Sequence, residues 1–330
     1  MNRFPAQKVY VACVLAGCAL LVGYVLLFEG RNDLLKAQNS RGPRTLAQIP
    51  FDGTAAMKDL TALCDLGPRP SGSAAMKKQQ ELLTAHFRRQ GAKVERQEFQ
   101  ARDPKSGATV PLANLIVHWH PDRRDRVMVS AHYDTRPFPD RDATNPRGRF
   151  VGANDGASGV AVLMELGRYM PKLPGAYGVD FVLFDGEELV YAEGDEYFLG
   201  SKYFARQYVN QPPAYRYRMG LLLDMVGDAQ LRCFYEPNSM RYAPSVTRAV
   251  WDTARRLGVW ELVPQMANMA VNDDHMPLNE IAHIPTCDLI DFEYPHWHTQ
   301  TDVPAQCSAL SLAKIGWVVH EWLKTAVRAR

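Results

Sequence analysis

Short apolar segments that alternate with helical segments are the feature that most limits the folds open to this 330-residue chain. From residue 92 onwards, strand-like apolar runs are separated by stretches with helical periodicity. Short buried strands joined through helices form a largely parallel sheet with helices on both faces. We therefore predict an α/β fold, a single three-layer αβα domain with a mostly parallel central sheet. The predicted strands are residues 92–99, 112–119, 126–132, 179–184, 219–225 and 284–290, and the predicted helices are residues 51–64, 75–90, 157–170, 201–208, 244–257 and 308–326.

The N-terminal segment has a different character, because residues 9–28 contain no charged side chain. A run of this length is sufficient for a helix to cross a bilayer. Arg3 and Lys8 precede it, and basic residues on this side favour a cytoplasmic N-terminus and an exported remainder. We therefore predict a transmembrane anchor that attaches the protein to the membrane.

The domain organisation follows from that anchor. We expect a cytoplasmic N-terminus over residues 1–8, the anchor over 9–28, a polar linker over 29–50 and a globular domain over 51–330 on the periplasmic or extracellular side. Two alternatives stay open. One is a cleaved signal peptide, although no good cleavage site follows the apolar run. The other is lipidation at Cys18, because residues 15–18 resemble a bacterial lipoprotein processing site.

Charge and cysteine content exclude some classes of function. The formal net charge is +2 and the chain has no long basic run, so a nucleic-acid partner is not expected. The cysteines show neither CxxC spacing nor a dense pattern, and they predict neither a cysteine-based metal site nor a particular disulfide.

Polar residues follow the apolar strands at the points where those strands end. The ligand site of an open α/β sheet lies beyond the carboxyl ends of its strands, so these residues are expected to line one pocket. They occur after the third, fourth and fifth strands, in a glycine-rich turn before a helix, and late in the chain. The set comprises His132, Asp134, Asp155, Asp185, Glu187, Glu188, Asp224, Asp273, Asp274, His275, His296 and His298.

Imidazole and carboxylate groups without a nearby thiolate suit zinc in a catalytic site that keeps an open coordination position. The adjacent Glu187 and Glu188 offer a division of labour. Successive side chains diverge as they leave a strand, so one carboxylate can bind metal while the other acts as general base. The rival chemistries find little support, since no G-x-S-x-G, P-loop or dinucleotide-binding pattern follows a predicted strand.

Over residues 57–328 the chain resembles the zinc aminopeptidase superfamily, which also contains the glutaminyl-peptide cyclotransferases. The resemblance implies zinc ligands at Asp155, Glu188 and His298, with Glu187 as the catalytic base. It also implies that His132 and Asp224 can complete a second zinc site. The matching segments are residues 131–134, 152–155, 184–188, 223–227, 273–275 and 298–299.

Two features favour the cyclase branch of that superfamily. Asp273 opens an Asp-Asp-His-Met-Pro segment that looks like the cyclase signature, and Trp297 directly precedes His298. Residues 66–69 and 224–227 are instead common in the peptidase branch, and residues 189–196 lack the tryptophan that animal cyclases place there. The favoured reaction converts the N-terminal Gln of a peptide to pyroglutamate with release of ammonia. Asp224 and Asp273 would then be catalytic, and Trp297 would line the substrate pocket.

Two other functions stay open. A zinc aminopeptidase would use Glu187 to activate water for hydrolysis of the first peptide bond, with His132 and Asp224 at a second zinc. A metal-free binding domain on the same scaffold is the other alternative, and the intact set of predicted ligands argues against it. The expected cofactor is one Zn²⁺, with two permitted, and the expected partner is the N-terminus of a peptide or protein.

Overall fold

The computed structural model describes residues 44–328, and the described chain from Thr45 onwards forms one compact unit. The predicted N-terminus, the anchor over 9–28 and most of the predicted linker lie outside the described residues. Ile49 is buried and Leu46 packs against the core, so the compact unit begins before the predicted boundary at residue 51. Within residues 44–328, every helix is too short or too polar to span a bilayer.

A six-stranded sheet forms the centre of the domain, with strand order β1-β2-β4-β3-β5-β8. Neighbours β4 and β3, β3 and β5, and β5 and β8 are parallel, whereas β2 runs antiparallel to β1 and β4. The mostly parallel sheet is therefore confirmed, and each of the six predicted strands overlaps one of its members. The strands are β1 Lys93–Arg102, β2 Thr109–Trp119, β3 Asp125–His132, β4 Gly178–Phe184, β5 Arg216–Asp224 and β8 Thr286–Ile290.

Eight α-helices surround the sheet in the described part of the chain. They are α1 Gly53–Cys64, α2 Ala74–Arg89, α3 Ser158–Leu166, α4 Leu199–Asn210, α5 Pro237–Tyr242, α6 Pro244–Leu257, α7 His275–Glu280 and α8 Ala309–Ala326. The helix predicted over residues 157–170 is α-helical only in α3 and continues as a 3₁₀ helix over Gly167–Lys172, which contains Pro171.

Side chains alternate between two apolar cores on opposite faces of the sheet. On β3, Val127 and Val129 belong to the larger core, and Met128 belongs to the other. The same alternation on β4 separates Phe181 from Val182. Helices α1, α2, α3, α6 and α8 contribute to the larger core, and α4 and α7 cover the opposite face. Helices cover both faces of the sheet, and the central strands β3 and β4 are therefore buried along almost their whole length, whereas the edge strand β1 is largely exposed. The three-layer prediction is confirmed.

A small second sheet and two short helices were not predicted. Strands β6 Cys233–Tyr235 and β7 Leu262–Met266 form this two-stranded parallel sheet beside the central one. The short helices are α5 and α7, and α7 begins within the Asp-Asp-His segment at His275. Cys64, Cys233, Cys287 and Cys307 are buried and unpaired.

Candidate metal centre and active site

The structure brings part of the predicted set together at the carboxyl ends of the parallel strands. A cavity of about 500 Å³ is lined by seven predicted site residues: Asp155, Glu187, Glu188, Asp224, Asp273, Trp297 and His298. Of the other candidates, Asp134, Asp185, Asp274, His275 and His296 do not line it, so the expectation of one shared pocket is wrong for them. His132, at the end of β3, lies directly behind this cavity in contact with Asp155 and Asp224. The arrangement matches the rule that places ligand sites beyond the carboxyl ends of strands in open sheets.

Asp155 is held in place by the turn that leads into α3. The backbone N–H groups of Asn154 and Asp155 donate to the Asp302 carboxylate at 2.8 and 3.1 Å. Gly156 follows with φ of +94°, and a Cβ there would lie 2.3 Å from the carbonyl oxygen of Asp134. Glycine is therefore required at this position, and the turn directs the Asp155 carboxylate towards the strand ends.

One group of three donor residues comprises Asp155, Glu188 and His298, and all three side chains are buried. His298 Nε2 lies 3.3 Å from Glu188 Oε1 and 3.5 Å from Asp155 Oδ2. Ligands at about 2.0–2.1 Å from a tetrahedral metal are separated from each other by roughly 3.3 Å. The two distances from His298 are close to those between ligands of one ion, and the donor atoms of all three residues lie within 4.8 Å of one another.

A second group shares Asp155 with the first. His132 Nε2 lies 3.2 Å from Asp155 Oδ1 and 3.3 Å from Asp224 Oδ1. Asp155 thus presents one oxygen to each group. The geometry suits two ions bridged by a carboxylate equally well as one ion beside a hydrogen-bonded histidine.

Glu188 and Glu187 are adjacent in sequence but differ in electrostatic environment. Burial alone would raise the pKa of Glu188, but the charges of His298 and Arg136 lower it to about 2. Arg136 Nη1 lies 2.8 Å from Glu188 Oε1. The pKa of Glu187 is instead raised well above its usual value by burial and by the negative charge of Glu188. The pair therefore separates into an ionised carboxylate suited to a cation and a more basic one suited to accept a proton.

Asp134 fixes the position of both glutamates. Its carboxylate accepts the backbone N–H of Glu187 at 3.2 Å and that of Glu188 at 2.9 Å. Asp134 is itself fully buried at the end of β3. The end of one strand therefore orients the turn after its parallel neighbour, and Asp134 positions the glutamates that reach the cavity.

Asp273 brings a further acid into the cavity. Burial raises its pKa well above the usual value, and the charges of Asp224 and Asp274 raise it further. Asp273 Oδ2 accepts no hydrogen bond within the described chain. Its charge also raises the pKa of Glu187, so the two carboxyl groups are close enough to influence each other's protonation.

Trp297 forms part of an apolar wall of the cavity, beside the acids and histidines described above. Its ring lies 4.3 Å from the His298 ring and 4.7 Å from the Phe292 ring, measured between centroids. The guanidinium of Arg141 lies 3.8 Å from the centroid of the Trp297 ring. The wall is completed by Phe198, Met225, Val271 and Ile290.

Sequence reasoning missed two parts of the site. Arg136 contacts Glu188 and Asp140 contacts His298, two of the predicted metal ligands, and the polar run after β3 was the only signal of Arg136 and Asp140 in the sequence. Asp288 lies behind the site, fully buried, with its Oδ2 3.7 Å from His275 Nδ1. Its signal was an acid in the middle of the otherwise apolar strand β8.

The donor groups satisfy a simple test of fit to a divalent cation. Asp155 Oδ2 and Glu188 Oε2 are buried and accept no hydrogen bond from residues 44–328. Buried carboxylate oxygens without a partner are costly unless a cation or a proton compensates them. With imidazole and carboxylate ligand atoms within 4.8 Å of one another, Asp155, Glu188 and His298 are suited to hold one.

A mostly parallel sheet with acids and imidazoles at the carboxyl ends of its strands is typical of enzymes with an αβα aminopeptidase-like fold. Comparison with known sequences identifies the family. The chain belongs to peptidase family M28, whose profile matches residues 114–323. The predicted membership of the zinc aminopeptidase superfamily is thereby confirmed.

Known relatives fall into both branches of that superfamily. The crystal structure of Fimbriiglobus ruber glutaminyl cyclase is 42% identical with a TM-score of 0.80, covering 83% of this chain and 95% of that one. A leucine aminopeptidase precursor from Bacteroides thetaiotaomicron is 30% identical with a TM-score of 0.77, covering 83% and 97%. Aminopeptidase YwaD of Bacillus subtilis is 27% identical over 222 residues, a match that covers 63% of this chain and 42% of that longer protein.

Proposed function

We propose that this protein is a zinc-dependent glutaminyl-peptide cyclotransferase, which converts the N-terminal Gln of peptides to pyroglutamate and releases ammonia. The observation that carries the proposal is the position of Asp273. It is a buried acid with a raised pKa, next to Asp224 and Glu187 in the cavity that Trp297 walls. The similarity to a solved glutaminyl cyclase at 42% identity supports the same reaction.

In this proposal Asp155, Glu188 and His298 hold the zinc ion. Bound zinc supplies Lewis acidity that polarises the side-chain amide carbonyl of the substrate. The α-amine of the same residue attacks the amide carbon, so a C–N bond forms within one molecule and the bond to the amide nitrogen breaks. Holding both groups of one residue in a small cavity provides much of the rate enhancement.

The acidic residues of the cavity can carry out the proton transfer that this reaction needs. Cyclisation requires a proton to move from the attacking amine to the departing ammonia, without net consumption of water. Glu187 accepts that proton and returns it, and its raised pKa makes it a stronger base than an exposed carboxylate. Asp224 and Asp273 hydrogen-bond to the nitrogen atoms during the transfer, and Trp297 limits access of water from the side of His298.

One observation favours an aminopeptidase as the second candidate. His132, Asp155 and Asp224 have the same donor spacing as the first group, and a second zinc held there would anchor the free amine of a substrate. Glu187 would then take a proton from the attacking water. The similarity to a leucine aminopeptidase precursor and to aminopeptidase YwaD supports this alternative.

A paired assay on the purified full chain distinguishes these functions. Pyroglutamate and ammonia are measured with a Gln-initiated peptide, and free amino acid is measured with Leu- and Ala-initiated peptides. Pyroglutamate in equal amounts with ammonia is the expected result. Free amino acid without pyroglutamate would establish the peptidase alternative. Absence of zinc from the purified protein, together with neither activity, would leave the metal-free binding domain.

The anchor over residues 9–28 stays a proposal from the sequence, and it places the catalytic domain on the exported side of a membrane. Fractionation of cells that express the full chain tests it. The full chain should sediment with membranes, and a chain that lacks residues 1–28 should not. Recovery of both in the same fraction would contradict the anchor.

A further inference from the structure

A second cavity, of about 390 Å³, adjoins the catalytic one. Four residues line both cavities: Met269, Val271, Ile290 and Phe292. None of the predicted metal ligands lines the second cavity. The two volumes are therefore parts of one groove that continues past the catalytic cavity, and we refer to the second part as the extension.

The extension is apolar inside and uncharged overall at its rim. Phe234 and Met266 add to the shared apolar residues. Arg232 and Glu293 lie at the rim with their charged groups 3.5 Å apart, and both side chains are more than half exposed. These opposite charges pair with each other. Glu236 also lines the extension, but its carboxylate is buried and accepts the backbone N–H groups of Asn238 and Val271. The extension therefore favours a neutral apolar group over a charged one.

Exposed apolar side chains lie at the extension. Four large hydrophobic residues of the described chain are strongly exposed, and two of them, Met266 at 51% and Met269 at 58%, line the extension. Flexible methionine side chains at a surface adapt to differently shaped apolar partners. Exposed apolar groups next to an active-site cavity indicate a surface that becomes covered when substrate binds.

The wall between the two cavities is fixed before any ligand arrives. The buried Glu236 carboxylate accepts the backbone N–H of Val271 at 3.0 Å and that of Asn238 at 2.8 Å. The Asn238 side chain donates to the Val271 carbonyl at 2.9 Å. Because Val271 is hydrogen-bonded through both its N–H and its carbonyl group, this part of the wall loses little conformational freedom when a ligand binds, which favours affinity.

A peptide whose first residue occupies the catalytic cavity must leave that cavity at its open side. Extended chain advances roughly 3.3 Å per residue, so its third and fourth residues lie about 7–10 Å from the first. Because the two cavities share a wall, this length reaches the extension. We propose that the extension binds the third residue of the substrate and selects an apolar side chain there, an inference that rests on the proposed function.

The test compares kcat/KM for three Gln-initiated substrates: the amide of Gln-Ala, the amide of Gln-Ala-Leu-Ala and the amide of Gln-Ala-Asp-Ala. The Leu peptide should exceed both others by about tenfold, since burial of a Leu side chain is worth at least a tenfold change in binding. Met266→Glu should reduce the ratio of the Leu peptide to the dipeptide amide several-fold. Val209→Glu introduces the same charge at an exposed position on α4 that lines neither cavity, and its ratio should equal that of the wild type.

Equal kcat/KM for all three substrates would overturn the inference, as would a Met266→Glu variant that retains the Leu preference. Failure of the proposed function looks different, because no substrate would then yield pyroglutamate. In that case the first residue of each peptide is changed from Gln to Leu, and release of the free amino acid is measured instead. A preference for Leu at the third residue that Met266→Glu removes would support the extension in a peptidase, and its absence would overturn the extension there too.

Discussion

Replacement of Glu187 by glutamine tests the division of labour between the two adjacent glutamates. The amide has nearly the same volume, so the cavity keeps its shape, and the backbone N–H of residue 187 still donates to Asp134. Glu188 is held independently by Arg136 at 2.8 Å and by His298 at 3.3 Å. We therefore expect zinc content and KM to stay near wild-type values while the proton acceptor is lost.

The expected loss lies in kcat. A positioned general base contributes about 10²- to 10⁴-fold to the rate, which corresponds to about 3–5 kcal/mol in the activation barrier. The upper part of that range is expected here, because burial and the charge of Glu188 give Glu187 a raised pKa that an exposed carboxylate would not have. The measurement is steady-state ammonia release from a Gln-initiated peptide, with bound zinc determined on the same preparations.

Glu193→Gln provides the matched control, because this exposed glutamate lies in the same loop and does not line the cavity. It should have wild-type kcat and zinc content. A Glu187→Gln variant with full zinc and more than about a tenth of wild-type kcat would remove Glu187 from its role. Loss of zinc together with activity would show instead that Glu187 is a ligand, and the proposed division would be wrong.

Three further predictions concern the ligands, the second acid and the core. His298→Ala should lower bound zinc well below one equivalent and abolish activity; an enzyme that keeps stoichiometric zinc would exclude His298 as a ligand. Asp273→Asn should reduce kcat by about 10- to 100-fold with zinc retained, and wild-type kcat would contradict its part in proton transfer. Burial lowers the pKa of His118, but hydrogen bonds to Asp180 and Glu95 outweigh it and raise the pKa to about 9, from an ordinary value of 6.5. This stabilisation is complete below pH 6.5 and is lost as the pH rises through 9. The difference in unfolding free energy between wild type and His118→Asn, measured by urea titration, should therefore fall by up to about 3 kcal/mol between about pH 6 and pH 10.

The centre of the sheet was predictable because its strands are buried on both faces. The run of residues 181–184 is apolar throughout, and it could be assigned without knowledge of its neighbours. The short elements differ, since β6 has three residues and α5 has six, and contacts distant in sequence specify them. In α5, for example, the backbone N–H groups of Asn238 and Ser239 donate to the Glu236 carboxylate, and the Ser239 hydroxyl accepts a hydrogen bond from the backbone of β8.

The metal ligands were predictable for a related reason. Strand ends in a parallel sheet meet at one edge, so residues that are far apart in the chain could be assigned to one pocket. The family resemblance assigned the roles of the two adjacent glutamates, but the sequence did not show their physical cause. Contacts with His298 and Arg136 lower the pKa of Glu188 to about 2, whereas burial and the charge of Glu188 raise the pKa of Glu187.

The choice between cyclase and peptidase depends on what occupies the space around His132 Nε2. This atom is within 3.3 Å of oxygens from both Asp155 and Asp224, yet an imidazolium has one N–H there to share between them. A second zinc ion could be bound by His132 Nε2 and by the two carboxylate oxygens, and it would require His132 to lose that proton. Without a metal, burial lowers the pKa of His132, but the neighbouring carboxylates of Asp134, Asp155 and Asp224 outweigh it and raise the pKa well above its usual value. A proton and a second metal ion would therefore compete for the same nitrogen. In the proposed cyclase His132 would keep its proton, so that one zinc ion lies beside Glu187, Asp224 and Asp273, the acids assigned to the proton transfer.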